Sequence, residues 1–125
     1  MGLFEKRDLR DYIETWSAKL SPDYKKAWNE WLKKRDVVAK QMGLDEKQIL
    51  YVTKITLMIY LGYDFKRRIN LNQNTTEKVA QTKGTTNTLE FINGLIKSID
   101  LLEYKCRDYY PEFKTRVEKL NNTRR

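Results

Sequence analysis

The residues of this sequence that could do chemistry are mainly charged ones, and 25 lysines and arginines outnumber 17 aspartates and glutamates. The sequence contains no histidine. It therefore lacks the most common general base, the usual zinc-ligand sets, and every serine–histidine or cysteine–histidine nucleophile pair. No spacing of tyrosines or carboxylates singles out another catalytic residue. We predict that the protein is not an enzyme and that it uses no metal ion or cofactor.

The one cysteine, Cys106, is interpreted as a structural residue rather than a nucleophile. It continues the apolar stripe of the last long predicted helix, where a free cysteine behaves as a small buried hydrophobic residue. A single cysteine cannot form an internal disulfide, which fits a reducing compartment. We therefore expect an intracellular location, in the cytoplasm or inside a virus particle.

The positive charge is concentrated in three segments, residues 21–42, 66–88 and 111–125. The middle segment holds five basic residues and one acidic residue. Such a segment suits contact with phosphates, because each neutralised phosphate releases counterions. The candidate residues for binding nucleic acid or an acidic partner are Lys66, Arg67, Arg68, Lys78, Lys83, Lys26, Lys33, Lys34, Arg124 and Arg125. We expect that replacing the 66–68 cluster by alanine weakens partner binding and costs little thermal stability.

Two functional hypotheses fit these basic segments. In the first, the protein binds nucleic acid mainly through phosphates, as a packaging, structural or accessory factor of a virus or mobile element. In the second, the basic surface docks on an acidic protein partner, as in an adaptor, an assembly subunit or an inhibitor. Convergence of the basic segments on one face would favour nucleic acid, whereas an exposed apolar patch would favour a protein interface.

Hydrophobic residues recur every three or four positions over most of the chain, and no segment shows the alternation of a strand. This pattern predicts an all-α fold, a compact bundle of four main helices. A long polar connection at about 70–88 precedes the last long helix, and a short C-terminal helix follows Pro111. We expect residues 1–120 to form one helical domain and 121–125 a basic tail. No apolar run is long enough to cross a bilayer, so we expect no membrane association.

The second predicted helix has the clearest ends. Ser21 followed by Pro22 is typical of an N-cap with proline in the first turn. Gly43 supplies a left-handed C-cap, since glycine adopts a positive φ without steric cost. Asp45 and Gln48 then have the spacing of a capping box, which predicts the start of the third helix.

The third predicted helix is apolar nearly all round up to Gly62, and a further short helical segment follows at 63–71. A helix with so little polar surface must be covered on several sides. We therefore place it at the centre of the bundle or between the subunits of a homo-oligomer.

The turn between the second and third helices also fits the spacing of a helix-turn-helix motif, with Ala39, Gly43 and Ile49 at the characteristic positions. In such a motif, however, Asp45 and Glu46 would be presented to the phosphates of DNA. A plain helical hairpin capped by glycine is therefore the preferred interpretation.

Three tryptophans, Trp16, Trp28 and Trp31, could supply stacking platforms for single-stranded nucleic acid. They lie on the apolar stripes of the first two predicted helices. Packing between these two helices is therefore the preferred interpretation, and it assigns the rings to the core and not to a binding surface.

Overall fold

The structure, a computed structural model, describes residues 6–75 and 83–123, and within them the side chains of 8–68 and 89–120. The described residues form helices joined by short turns, with no strand among them. The helices are α1 (Lys6–Ser17), α2 (Pro22–Met42), α3 (Glu46–Thr75), α4 (Lys83–Lys105) and α5 (Tyr110–Thr123). The predicted all-α class is confirmed.

The longest helix, α3, lies at the centre of the fold. It packs against α1, α2 and α4, while α5 packs against α2. Val52, Ile55, Leu57 and Leu61 are completely buried in this arrangement. This is the central position that the all-round apolar sequence of the helix predicted.

The connection between α3 and α4 is shorter than predicted. α3 continues through Gly62 to Thr75 as one helix, and α4 already begins at Lys83. The physical reason is that the sequence between Gly62 and Lys83 contains no further glycine or proline, so its polar composition alone does not stop a helix. Of the predicted 70–88 connection, only 76–82 separates the two helices, and these residues lie outside the described part of the chain.

The turn between α2 and α3 has the geometry that the sequence predicted. Gly43 adopts φ 67° and ψ 36°, and the N–H of Leu44 donates to the carbonyl oxygen of Ala39 at 3.0 Å. The backbone N–H of Asp45 donates to Oε1 of Gln48 at 2.9 Å. In return, the N–H of Gln48 donates to Oδ1 of Asp45 at 2.8 Å. The predicted C-cap and capping box are both confirmed.

These two helices form an antiparallel hairpin. Residues near the end of α2 contact the beginning of α3, and residues near the start of α2 contact its later turns. The contacting pairs are Arg35 with Thr53, Trp28 with Tyr60, and Asp23 with Arg67. The two helices of a helix-turn-helix motif cross at about 90–120°. The antiparallel contact along α2 and α3 therefore supports the hairpin interpretation.

Contacts between aromatic rings join α1 to α4 and α5 to α2. Trp28 and Trp31 are buried and stack on each other with ring centres 5.2 Å apart, and Phe113 of α5 meets Trp31 at 6.1 Å. Trp16 of α1 stacks on Phe91 of α4 at 5.2 Å. Trp16 therefore joins α1 to α4, whereas the sequence predicted packing between the first two helices.

Candidate interaction surface

The predicted binding residues that the structure describes lie on α2, on the later turns of α3 and at the start of α4, and the ion pair of Arg67 with Asp23 brings the 66–68 cluster close to Lys26. Lys26 and Lys33 are exposed on α2, and Lys34 is half-buried there. The 66–68 cluster is exposed on the later turns of α3. The remaining predicted residues are Lys83, which begins α4, and Lys78, Arg124 and Arg125, which lie outside the described residues.

Acidic residues interrupt the basic residues of α2. Arg67 Nη1 lies 3.2 Å from Oδ2 of Asp23, in the first turn of α2. Lys26 follows Asp23 by three residues on the same side of the helix, and Glu30 then separates Lys26 from Lys33. The described basic residues around α2 therefore do not form a continuous surface free of acidic side chains.

Arg68 is the charge partner of a buried carboxylate. Asp64 is completely buried, and its Oδ2 accepts a hydrogen bond from Nη2 of Arg68 at 3.0 Å. The same guanidinium donates to the carbonyl oxygen of Lys19 at 3.1 Å. Since a buried charge is tolerated only when it is paired, Arg68 stabilises the contact between α3 and the α1–α2 turn. Arg68, one of the three residues of the predicted 66–68 cluster, therefore has a structural role.

Lys66, by contrast, lines a cleft of about 190 Å³ between α3 and α4. We call it the Lys66 cleft. Its walls are mainly apolar, and they include Met58, Ile59, Tyr63, Ile92 and Ile96. Asp100 also lines this cleft. The described lining therefore carries one positive charge, on Lys66, and one negative charge, on Asp100.

Exposed apolar side chains are concentrated on α3 and α4. The described residues expose six large hydrophobic side chains, and the only one outside these two helices is Val37 on α2. The other five are Tyr63 of α3 and Leu89, Ile96, Leu101 and Tyr104 of α4. Ile96 and Leu101 lie on opposite flanks of α4, and we call the exposed surface that these five residues and Lys66 form across the two helices the α3–α4 face. Single exposed apolar residues are ordinary, whereas several exposed apolar side chains on two neighbouring helices suit an interaction site.

The sequence contained a signal for this face that our prediction missed. Ile96 follows Leu95, and Leu101 precedes Leu102, so apolar residues occur in adjacent pairs along α4. Adjacent residues point about 100° apart on a helix, so one neighbouring helix cannot cover both. In the structure Leu95 and Leu102 are buried while Ile96 and Leu101 remain 45% and 60% exposed.

A second and larger cleft, of about 400 Å³, opens between α1, α3 and α4 on the other flank of α4. We call it the Lys54 cleft, because Lys54 and Lys105 both line it. The Lys54 ammonium lies 4.5 Å from the centre of the Tyr12 ring, within the range of a cation–π interaction. Burial, and secondarily the charge of Lys105, lowers the pKa of Lys54.

Cys106 has the environment of an inert thiol. It is 1% exposed, and its Sγ accepts a hydrogen bond from the hydroxyl of Tyr109 at 3.1 Å. Burial raises the pKa of the Cys106 thiol. A reactive cysteine needs a lowered pKa and access to solvent, so this geometry does not suit a nucleophile.

Comparisons with other proteins do not identify a family for this fold. No protein-family model, curated protein or solved structure matches the chain. Within the described residues, no cluster of three or more cysteine, aspartate or glutamate side chains is placed to hold a metal ion. None of the described helices is both long enough and apolar enough to cross a membrane.

Proposed function

We propose that this protein is a non-catalytic interaction module that binds an acidic protein partner through the α3–α4 face. The observation that carries the proposal is the position of five of the six exposed large apolar side chains on this face. Covering them with a partner would remove apolar surface from water, which is the main driving force of protein association.

The charges around the face favour an acidic partner. Lys66 lines the cleft on one flank of α4, and Lys54 and Lys105 line the cleft on the other. Asp100 is the only acidic side chain among the described residues that line the two clefts. Such a surface suits an amphipathic helix whose apolar residues enter the groove and whose acidic residues lie along its edges.

The net charge of +8 supports a second candidate function, phosphate-mediated binding of nucleic acid as a packaging, structural or accessory factor of a virus or mobile element. Lys26, Lys33 and Lys66 are exposed and would be its contacts. The ion pairs of Arg67 and Arg68 within the protein weaken this candidate. An exposed apolar face also adds little to phosphate contacts, so we place this function second.

A peptide-display selection tests the proposal with a defined probe. Wild-type protein should enrich peptides that combine apolar and acidic residues at helical spacing. These peptides should lose binding to the Ile96→Glu variant, because the new charge is placed in the apolar face. Val37→Glu is the matched control, since Val37 is 48% exposed and Ile96 45%, but Val37 lies on α2.

Titrations with labelled duplex and single-stranded DNA and RNA, at several salt concentrations, separate the two candidates. Binding that falls linearly with salt on a log–log plot and is unchanged by Ile96→Glu would favour the nucleic-acid function. A selection that yields no apolar and acidic consensus, or peptides that bind both variants equally, would overturn the protein-partner proposal.

A further inference from the structure

The Lys54 cleft combines two cationic groups with apolar walls. Its volume of about 400 Å³ lies within the ordinary range of small-molecule sites. Apolar contact is offered by Met58, Phe91, Leu95 and Leu101. Among the described residues that line it, none is acidic. The lining therefore has the composition of a site for an apolar molecule that carries a negative charge.

The two lysines approach the cleft from different helices, Lys54 from α3 and Lys105 from the last turn of α4. The ring of Tyr12 positions the Lys54 ammonium at 4.5 Å from its centre. Two positive charges at one cleft repel each other, and the half-buried position of Lys54 weakens its hydration. An anion placed at the cleft would compensate both effects.

The floor of the cleft is open along one stretch of α4. Gly94 and Ser98 line it one helical turn apart. A Cβ atom added at Gly94 would meet nothing within 4 Å. Gly94 and Ser98 are both exposed, so this turn presents an uncovered side of α4 against which an apolar chain could lie.

We propose that the Lys54 cleft binds a small amphipathic carboxylate of the fatty-acid type, with its carboxylate at Lys54 and Lys105 and its apolar chain along Gly94. The positive charges of Lys54 and Lys105 complement the carboxylate, and the apolar walls of the cleft contact the chain. The site shares Lys54, Lys105 and Leu101 with the surface proposed for the protein partner. Ile96 and the Lys66 cleft lie on the opposite flank of α4, so Ile96→Glu should leave dodecanoate binding unchanged, and the two proposals can fail separately.

Calorimetric titration of the full chain with dodecanoate, and with dodecanol as the uncharged analogue, tests the site. We expect saturable 1:1 binding of dodecanoate, and weaker binding of dodecanol by roughly tenfold or more, since a hydrogen bond to a charged group contributes about that much. The double variant Lys54→Gln, Lys105→Gln should lose the preference for the carboxylate. Lys97→Gln, on an exposed part of α4 outside both clefts, is the matched control.

A blocking variant makes the test independent of the lysines. Gly94→Leu places a side chain in the cleft and replaces glycine in a helix by a better helix former, so the protein should stay folded while binding is lost. Gly62→Leu, at a glycine that lines the Lys66 cleft and is equally open, should retain binding. Equal affinity for dodecanol and dodecanoate, unchanged binding in Gly94→Leu, or the absence of saturable binding would each overturn the proposal.

Discussion

The carboxylate of Asp64 in α3 accepts a hydrogen bond at 2.9 Å from the backbone N–H of Ser21, 43 residues earlier in the chain. Ser21 occupies the predicted N-cap position of α2, but its side chain makes no capping hydrogen bond. Its hydroxyl oxygen and Oδ1 of Asp64 are both buried without a hydrogen-bond partner among the described residues. Asp64 and Arg68 therefore hold the α1–α2 turn, and the Ser21 side chain does not.

Replacing Asp64 by alanine should lower the free energy of unfolding by about 1 to 3 kcal/mol, because it leaves the Ser21 N–H without its acceptor and removes the partner of Arg68. Asp100→Ala, at an exposed aspartate, is the control and should change stability by less than about 0.5 kcal/mol. Denaturant unfolding measures both. Equal effects of the two substitutions would show that the buried carboxylate does not hold the turn.

Alanine substitutions at Arg68 and at Lys66, both in the 66–68 cluster, should have different effects on thermal stability. Arg68→Ala should cost about 1 to 2 kcal/mol, since it removes a donor from the buried Asp64. Lys66→Ala should leave thermal stability nearly unchanged, because Lys66 is exposed. This differs from the sequence-based expectation that the whole cluster can be replaced at little cost. A melting temperature of Arg68→Ala equal to that of Lys66→Ala would contradict the structural role of Arg68.

The capping box at the start of α3 should show energetic coupling. Asp45→Ala is expected to cost about 1 kcal/mol, because Asp45 satisfies the N–H of Gln48 at the helix start. Gln48→Ala should cost less, and the double variant should lose less than the sum, because the two bonds are reciprocal. If the losses in the free energy of unfolding were strictly additive in this double-mutant cycle, the two hydrogen bonds of the capping box would be independent, contrary to the prediction.

Stability should fall at alkaline pH. Burial raises the pKa of Tyr110 from 10.0 to about 12, and it also raises the pKa values of Cys106 and Tyr109. A group whose pKa is higher in the folded state stabilises the fold fully below its unfolded pKa, and this contribution is lost as pH rises through the folded value. The free energy of unfolding should therefore decrease above about pH 9 to 10. Tyr110→Phe should flatten this decrease, and an unchanged slope would assign the effect to other groups.

The features that the sequence predicted best depend on neighbours in the chain. The left-handed Gly43 and the bonds between Asp45 and Gln48 are local, so the residue types alone specify them. The burial of Asp64 depends on Ser21 and Arg68, and Ser21 is distant in sequence. Asp64 and Arg68 have the i,i+4 spacing of a local ion pair, but no local pattern indicates the contact of Asp64 with Ser21 that makes this pair structural. Arg68 was therefore interpreted as a binding residue.

Only part of the candidate interaction surface could be predicted from the sequence, because the adjacent apolar pairs of α4 indicate that some apolar side chains stay uncovered but not which ones. Ile96 is exposed because α3 covers only part of α4. Which side of an apolar helix remains open depends on the number and placement of its neighbours, and a single helix sequence does not contain this information. The clefts likewise arise only when α1, α3 and α4 meet.

The most direct test of the α3–α4 face is the affinity of one selected acidic, apolar peptide for wild type, Ile96→Glu and Val37→Glu. The proposal predicts a loss of roughly tenfold or more for Ile96→Glu, because a charge would be buried in the interface, and little change for Val37→Glu. Circular dichroism should first show that both variants are folded. Equal affinities of the three proteins, or a larger loss for Val37→Glu, would contradict the assignment of the interface to this face.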